Sequence, residues 1–266
     1  MMRKMTTKMI LTIVVLLVTV CVVGGGLCLK VYHHEKEQGR QIRELNSRTE
    51  YLEGRLNQVQ NYYDFQPEYR DDAYNYLAIG NSLTLITNWG RGICATKPDN
   101  DYYGLVNQYL NQKRGDVVSY RYNFAPWETT TNRASRLDLL NVLLSDKLDL
   151  VTIQLGENAA DTTTYEQDLE ALITYVQQRA PRAKIVVIGD FWDKKRDAMR
   201  REAAANKNVA FADISAIIGD KAYQSKEGTE CELADGTIRK VSKAEETHPG
   251  DEGMAYIAEK VIEKLD

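Results

Sequence analysis

From residue 72 onward the sequence alternates between apolar, β-branched runs and stretches of helical periodicity, which limits the fold more than any other feature. Continuous apolar strands separated by helices predict a parallel sheet with both faces covered. The strand-like runs are 76–80, 117–123, 148–156, 184–190 and 208–213. The helical stretches lie near 101–113, 131–145, 164–179, 193–205 and 251–265. We therefore expect an α/β fold.

One segment departs from this alternation. Between 221 and 243 the residues "CELADGTIRKV" predict a small hairpin that turns at Asp235-Gly236. The hairpin comes just before the last helix.

The chain begins with a basic segment followed by 9–29, which contains no charge. Roughly 20 such residues are enough to cross a bilayer core. We predict that residues 1–30 form an N-terminal transmembrane anchor, with the domain outside the cytoplasm. A cleaved signal peptide is the alternative, although its apolar region usually has only about 7–15 residues.

Residues 31–66 are charged, glutamine-rich and nearly free of glycine and proline. Apolar residues recur there at spacings of three and four, namely Ile42, Leu45, Leu52, Leu56, Val59 and Tyr63, with Thr49 interrupting the series. Such a seam is typical of a short coiled-coil stalk that pairs two chains into a homodimer. It is equally typical of an amphipathic helix that lies on its own domain. Residues 67–266 form the remaining domain.

The charge and the cysteines limit the partners of that domain. The total formal charge is −4 and the first thirty residues carry +4, so residues 31–266 carry about −8. An acidic domain binds a phosphate backbone poorly, so no nucleic-acid partner is expected. Cys94 and Cys231 either pair outside the cell or stay as two free thiols. The sequence gives no strong sign of a metal or organic cofactor.

The stretch "YLAIGNSLT", residues 76–84, is an apolar strand that ends in Gly-Asn-Ser. Such residues are common in turns, and turn chemistry alone would explain Ser82. However, ligands of parallel sheets bind beyond the carboxyl ends of the strands. Ser82 lies at that position and is therefore a candidate nucleophile.

Only one histidine, His248, lies in the folded domain, within "EETHPGDEGM". A neutral imidazole suits the removal of a serine proton near pH 7, so we predict that His248 is the base for Ser82. The imidazole needs a partner for its other nitrogen. Glu245 lies three residues earlier and is the predicted carboxylate, with Glu246 and Asp251 as alternatives.

The third strand-like run is followed by "GEN", in which Gly156 permits a tight turn and Asn158 comes directly after it. Developing oxyanion charge needs fixed hydrogen-bond donors. The side chain of Asn158 is a candidate donor at the same sheet edge as Ser82.

These three stretches together resemble the blocks of the SGNH hydrolases, also called GDSL-type esterases and lipases, over about residues 74–265. The resemblance implies Ser82 as nucleophile and oxyanion donor, Asn158 as side-chain donor and His248 as base. It also implies a three-layer α/β/α sandwich, flavodoxin-like, with a five-stranded parallel sheet.

Two stretches depart from the family pattern. Glu245 stands where the family usually has Asp, which leaves the carboxylate or a main-chain carbonyl as partner of the histidine. The second block, "NFAPWETTTN", lacks the usual glycine, so the amide of Trp127 or Glu128 is the expected donor.

The tryptophans add a candidate substrate pocket, since Trp89 and Trp192 follow strand ends and Trp127 lies in the second block. Packing in the core is the alternative for each. Three functions fit the sequence: a membrane-anchored esterase that removes small acyl groups, chiefly acetyl, from a glycan; an O-acyltransferase to a cell-envelope glycan; and a non-catalytic glycan-binding module.

Overall fold

The computed structural model describes residues 12, 30, 32–39, 41–42, 45, 66–86, 89–159, 161–233 and 235–265. The chain divides into two compact units, Met1–Asn57 and Gln58–Asp266. In the first unit every described residue is helical, and the side chains of Ile42 and Leu45 are exposed.

The predicted anchor and most of the predicted stalk lie outside the described residues. Within the described ranges, no helix has the length and apolar character needed to span a membrane.

The second unit is an α/β domain. Its elements in chain order are β1 (Tyr74–Gly80), α1 (Tyr102–Arg114), β2 (Val117–Asn123), α2 (Ala125–Glu128), a 3₁₀ helix (Arg133–Val142), β3 (Leu150–Gln154), α3 (Tyr165–Arg179), β4 (Lys184–Ile188), α4 (Lys194–Asn206), β5 (Ala210–Ala212), a 3₁₀ turn (Ser215–Ile217), β6 (Glu230–Glu232), β7 (Ile238–Lys240) and α5 (Asp251–Ile262). Strands β1 to β5 form one parallel sheet in the order β2-β1-β3-β4-β5.

The sheet lies between two helical layers. Alternate side chains of a strand point to opposite faces, so each strand contributes to the core on both sides. Tyr76 and Ala78 of β1 are buried in the core shared with α1 and α5. Leu77 and Ile79 are buried in the opposite core, shared with α3 and α4. The predicted three-layer sandwich with a five-stranded parallel sheet is confirmed.

The stretch predicted as a helix near 131–145 forms a 3₁₀ helix instead of an α-helix. Leu137, Leu140 and Leu143 are buried along it at a spacing of three. Three residues per turn place this leucine series on one side of a 3₁₀ helix. The predicted hairpin is present as the antiparallel pair β6 and β7.

The register of the sheet aligns the strand ends that carry the candidate site. Gly80, the last residue of β1, pairs with Asn123 of β2 and with Gln154 of β3. The segments that contain Ser82, Glu128 and Asn158 therefore leave the sheet side by side, at its carboxyl edge.

Candidate active site

Ser82 lies in a tight turn directly after β1. The N–H groups of Thr84 and Leu85 both donate to the carbonyl of Asn81, at 2.9 and 2.8 Å. A Cβ atom at Gly80 would lie 1.8 Å from the hydroxyl oxygen of Thr84, so the turn requires glycine at that position. The turn brings Ser82 out of the buried strand to a partly exposed position.

The polar atoms of Ser82 are available for chemistry. Its hydroxyl has one weak contact, with Oδ1 of Asn81 at 3.5 Å. Among the described residues, no group accepts a hydrogen bond from its main-chain N–H. Ser82 therefore offers both a hydroxyl and a main-chain N–H to a ligand.

His248 is held by the main chain. Its ring atom Nδ1 lies 3.0 Å from the carbonyl oxygen of Glu245, and its main-chain N–H donates to the same oxygen at 2.9 Å. A carbonyl oxygen only accepts, so Nδ1 carries the proton and Nε2 has the free lone pair. Burial lowers the pKa of His248, although the Glu245 contact partly opposes this shift. The imidazole is therefore neutral near pH 7, as a base must be.

The carboxylate of Glu245 does not contact the imidazole, and the prediction of a carboxylate partner is corrected accordingly. It accepts hydrogen bonds from Arg239 at 3.0 Å, Trp89 at 3.3 Å, and the N–H and hydroxyl of Ser242 at 2.9 and 2.7 Å. A short turn from Glu245 to His248 directs the carbonyl, rather than the side chain, at Nδ1. The predicted alternative, a main-chain carbonyl, is the arrangement observed.

Asn158 follows β3 and is exposed. Gly156, two residues earlier, has a φ of 123°, which favours glycine, and so permits the turn that presents Asn158. The Nδ2 of Asn158 donates to Oε2 of Glu128 at 2.8 Å. An amide NH₂ has two hydrogens, so a second one remains for a ligand.

Glu128 makes its hydrogen bonds at the site through its side-chain carboxylate. Its Oε1 accepts from Nδ2 of Asn81 at 2.8 Å and from the N–H of Gly156. Glu128 therefore links the turn of Ser82 to the loop of Asn158. Sequence reasoning selected Glu128 for its main-chain amide and missed this carboxylate.

One loop, which contains Ile93 and Cys94, contacts both the turn of Ser82 and the turn of His248, although no hydrogen bond joins Ser82 to His248. The N–H of Ile93 donates to the carbonyl of Ser82 at 2.8 Å. The adjacent Cys94 directs its thiol at the carbonyl of Glu245, with a distance of 3.5 Å. That loop therefore connects the turn of Ser82 to the turn that orients the imidazole.

The three predicted pocket tryptophans separate into two groups. Trp89 and Trp127 are only 2% and 0% exposed and belong to the two cores, so their assignment to an open pocket was wrong. Trp192 is half-buried, and its ring meets that of His248 edge-on, with centroids 5.3 Å apart. Of the three, Trp192 is the one that is partly exposed and whose ring contacts that of His248.

A buried ionic network behind the site was also missed. Glu157 accepts from Asn81 at 2.6 Å and pairs with Arg200 at 2.7 Å, and Arg200 also lies 3.2 Å from Asp190. Burial raises the pKa of Asp190, but the charges of Arg200 and Arg196 outweigh it and the net shift is downward. The position of Glu157 within "GEN" is a sequence signal that it lies near the site. Arg200 has no such signal, because it is one of several charged residues of helix α4.

Cys94 and Cys231 are both buried and free. The sulfur of Cys231 lies 3.9 Å from the carbonyl oxygen of Cys94. Burial raises the pKa of the Cys94 thiol to about 12, so it stays protonated. In the part of the chain that the structure describes, no three His, Cys, Asp or Glu residues form a group that could hold a metal ion.

Comparison with known proteins identifies a family whose model covers the segment that carries these residues. The profile of the GDSL-like lipase/acylhydrolase family matches residues 78–256, more than half of the chain. Ser82, Glu128, Asn158, Glu245 and His248 all lie in that range. None of the curated proteins compared with the chain matches it.

Solved structures share the fold at low sequence identity. A two-domain esterase active on acetylated mannans, crystallised with mannopentaose, matches with a TM-score of 0.52 and 18% identity over 79% of this chain and 53% of that one. This chain therefore corresponds to about half of that esterase.

Two further structures match over most of their own length. Phospholipase A1 from Streptomyces albidoflavus NA297 gives a TM-score of 0.48 and 15% identity, over 72% of this chain and 99% of that chain. A catalytic mutant of Axe2, an acetylxylan esterase from Geobacillus stearothermophilus, gives 0.49 and 15%, over 76% and 95%.

Proposed function

The chain belongs to the GDSL-like lipase/acylhydrolase family, and from this premise we propose that it hydrolyses small acyl esters through Ser82 and His248. The observation that carries the proposal is the contact between Nδ1 of His248 and the carbonyl of Glu245. That contact fixes the tautomer in which Nε2 accepts the proton of an attacking hydroxyl.

In this reaction the Ser82 oxygen attacks the ester carbonyl carbon while His248 takes the hydroxyl proton. The Ser82 N–H and the free Nδ2 hydrogen of Asn158 donate to the oxyanion that forms. His248 then gives its proton to the leaving alcohol, and an acyl-serine remains. Water, deprotonated by the same imidazole, releases the acid and restores Ser82.

The orienting group here is a neutral carbonyl instead of a carboxylate. It holds the ring in place, but it stabilises the imidazolium only through its dipole. The negative charges of Glu245 and Glu157 both favour the protonated ring from a greater distance, and so supply part of the missing stabilisation.

The substrate we propose is an acetyl ester on a carbohydrate. Trp192 offers a half-buried aromatic surface beside His248, and sugar rings stack well on such surfaces. The fold is shared with an esterase active on acetylated mannans, which is consistent with this substrate.

We also propose that the protein is anchored in the cell membrane, with the catalytic domain outside the cytoplasm. The uncharged stretch 9–29 supports the anchor. The apolar seam supports pairing through the stalk, since Ile42 and Leu45 are 57% and 63% exposed.

The proposal is tested with Ser82→Ala in the full-length chain purified in detergent. We expect kcat for p-nitrophenyl acetate to fall on the order of 10⁶-fold, because the nucleophile is lost. Unchanged hydrolysis would overturn the proposal. With acetylated mannan and xylan as substrates, free acetate indicates hydrolysis, and acetylated acceptor sugar indicates transfer instead.

A further inference from the structure

We propose that the carboxylate of Glu128 is a positioning residue, which holds Asn158 and the Ser82 turn in the geometry that stabilises the oxyanion. The inference rests on the proposed function. It assigns to the side chain of Glu128 a role separate from any role of its main-chain amide.

Glu128 fixes the direction of the Asn158 hydrogens. Oε2 of Glu128 accepts one Nδ2 hydrogen at 2.8 Å. The two hydrogens of an amide lie in one plane at a fixed angle, so fixing one also fixes the other. Without Glu128 the exposed side chain of Asn158 would rotate, and the second hydrogen would have no defined direction.

The same carboxylate holds both halves of the proposed oxyanion site. Oε1 accepts from Nδ2 of Asn81, the residue before Ser82, at 2.8 Å. The same atom accepts from the N–H of Gly156, two residues before Asn158. The separation of the Ser82 N–H and the Asn158 amide is therefore set through Glu128.

A carboxylate at this buried position costs free energy of folding. Glu128 is 1% exposed, and among the described residues no Lys or Arg pairs with it. Burial, and next the charge of Glu157, raise the pKa of Glu128 to about 7. An apolar side chain of similar size would pack here at lower cost. All the hydrogen bonds of this carboxylate go to the loops of the site, so the cost is explained by function.

The chemistry of the amide isostere makes the test selective. In Glu128→Gln an oxygen can still serve Asn81 and Gly156, but Nε2 then faces Nδ2 of Asn158, a donor against a donor. The alternative rotamer keeps Asn158 and loses the other two contacts. Either outcome disturbs the oxyanion site while it barely changes the volume of the side chain.

The experiment is a double-mutant cycle of Glu128→Gln and Asn158→Ala in the full-length chain, with kcat and KM measured for p-nitrophenyl acetate. Loss of an oxyanion donor costs about 10²–10³-fold in kcat, which is expected for Asn158→Ala. For Glu128→Gln we expect kcat to fall at least ~10-fold, with KM within about threefold of the value for the parent chain. In the Asn158→Ala background the same change should cost less than about threefold, because Nε2 then meets no opposing amide while the remaining oxygen still serves Asn81 and Gly156.

Asp149→Asn is the matched control. Asp149 also accepts a main-chain N–H, from Asn75 at 2.9 Å, but it lies before β3, at the opposite edge of the sheet. This variant should change the midpoint temperature of thermal unfolding without lowering kcat.

Three results would overturn the inference: kcat unchanged in Glu128→Gln, an equal loss in the Asn158→Ala background, or an equal loss in Asp149→Asn. If Glu128→Gln fails to fold, Glu128→Asp replaces it, and an unchanged kcat again overturns the inference. Loss of the proposed function would look different, because the parent chain itself would then show no hydrolysis that depends on Ser82.

Discussion

His248 is oriented by a main-chain carbonyl oxygen and not by a side chain. Its Nδ1 and its N–H share the carbonyl oxygen of Glu245, while the carboxylate of Glu245 binds Arg239, Trp89 and Ser242. At the scale of the residue, Glu245 therefore has two separate roles. The main chain orients His248, while the side chain holds the loop and its charge favours the protonated ring only from a distance.

This separation predicts a mild catalytic effect for Glu245→Gln. We expect kcat within about threefold of the parent chain, whereas replacing a carboxylate that binds the histidine costs about 10⁴-fold in other triads. Stability should fall by about 1–2 kcal/mol, because the ion pair with Arg239 is lost. Urea unfolding and p-nitrophenyl acetate kinetics measure the two effects.

Glu246→Gln is the neighbouring control, since Glu246 pairs with the exposed Lys243 and should affect neither quantity. A fall in kcat for Glu245→Gln on the scale of other triads would show that the carboxylate acts on the imidazole.

The sequence nominates those candidate site residues that chemistry selects by type. A lone histidine and a serine after an apolar strand are enough to make His248 and Ser82 candidates. The carboxylate of Glu128 was missed because its partners are a main-chain N–H and two amides from distant loops. The burial of Trp127 was also missed, because a tryptophan after a strand has the same pattern whether it faces the core or a ligand.

At the scale of the element, the register of β1, β2 and β3 brings three loops to one edge. The predicted strand 117–123 has the observed bounds of β2, and the other predicted strands overlap their observed counterparts. Strands buried on both faces are recognisable from their apolar runs. The 3₁₀ helix was missed because the leucine spacing of three is compatible with either type of helix over so short a stretch.

The loop after β3 gives a prediction at this scale. A Cβ at Gly156 would lie 2.4 Å from the hydroxyl oxygen of Tyr165, a fully buried residue, and φ is 123°. We expect Gly156→Ala to cost at least ~2 kcal/mol of unfolding free energy, because both strain and a clash arise. The loop would move Asn158, so kcat should fall as well.

Gly115→Ala is the matched control, because φ is 86° there and a Cβ would meet nothing within 4 Å. It should cost only about 1–2 kcal/mol and leave kcat unchanged. Equal losses of stability in the two variants would show that the Tyr165 contact has no effect.

At the scale of the whole molecule, the proposed anchor predicts how the protein fractionates. The full chain should stay with membranes after an alkaline carbonate wash, because an uncharged stretch of about 20 residues partitions into the bilayer. A variant that lacks residues 1–30 should be released. Immunoblots of the two fractions measure this, and release of an intact full chain would contradict the anchor.

The last helix determines how activity relates to folding. The turn of His248 leads directly into α5, and Asp251 at its first turn accepts from Thr96 and Asn100, at 2.8 and 2.7 Å. Met254, Ile257 and Val261 pack into the core shared with α1. If α5 alone detaches while strands β1 to β5 stay paired, His248, the proposed base, leaves Ser82, the proposed nucleophile. Turnover would then disappear before the circular dichroism of the sheet changes, so an ester assay reports the docking of this one helix.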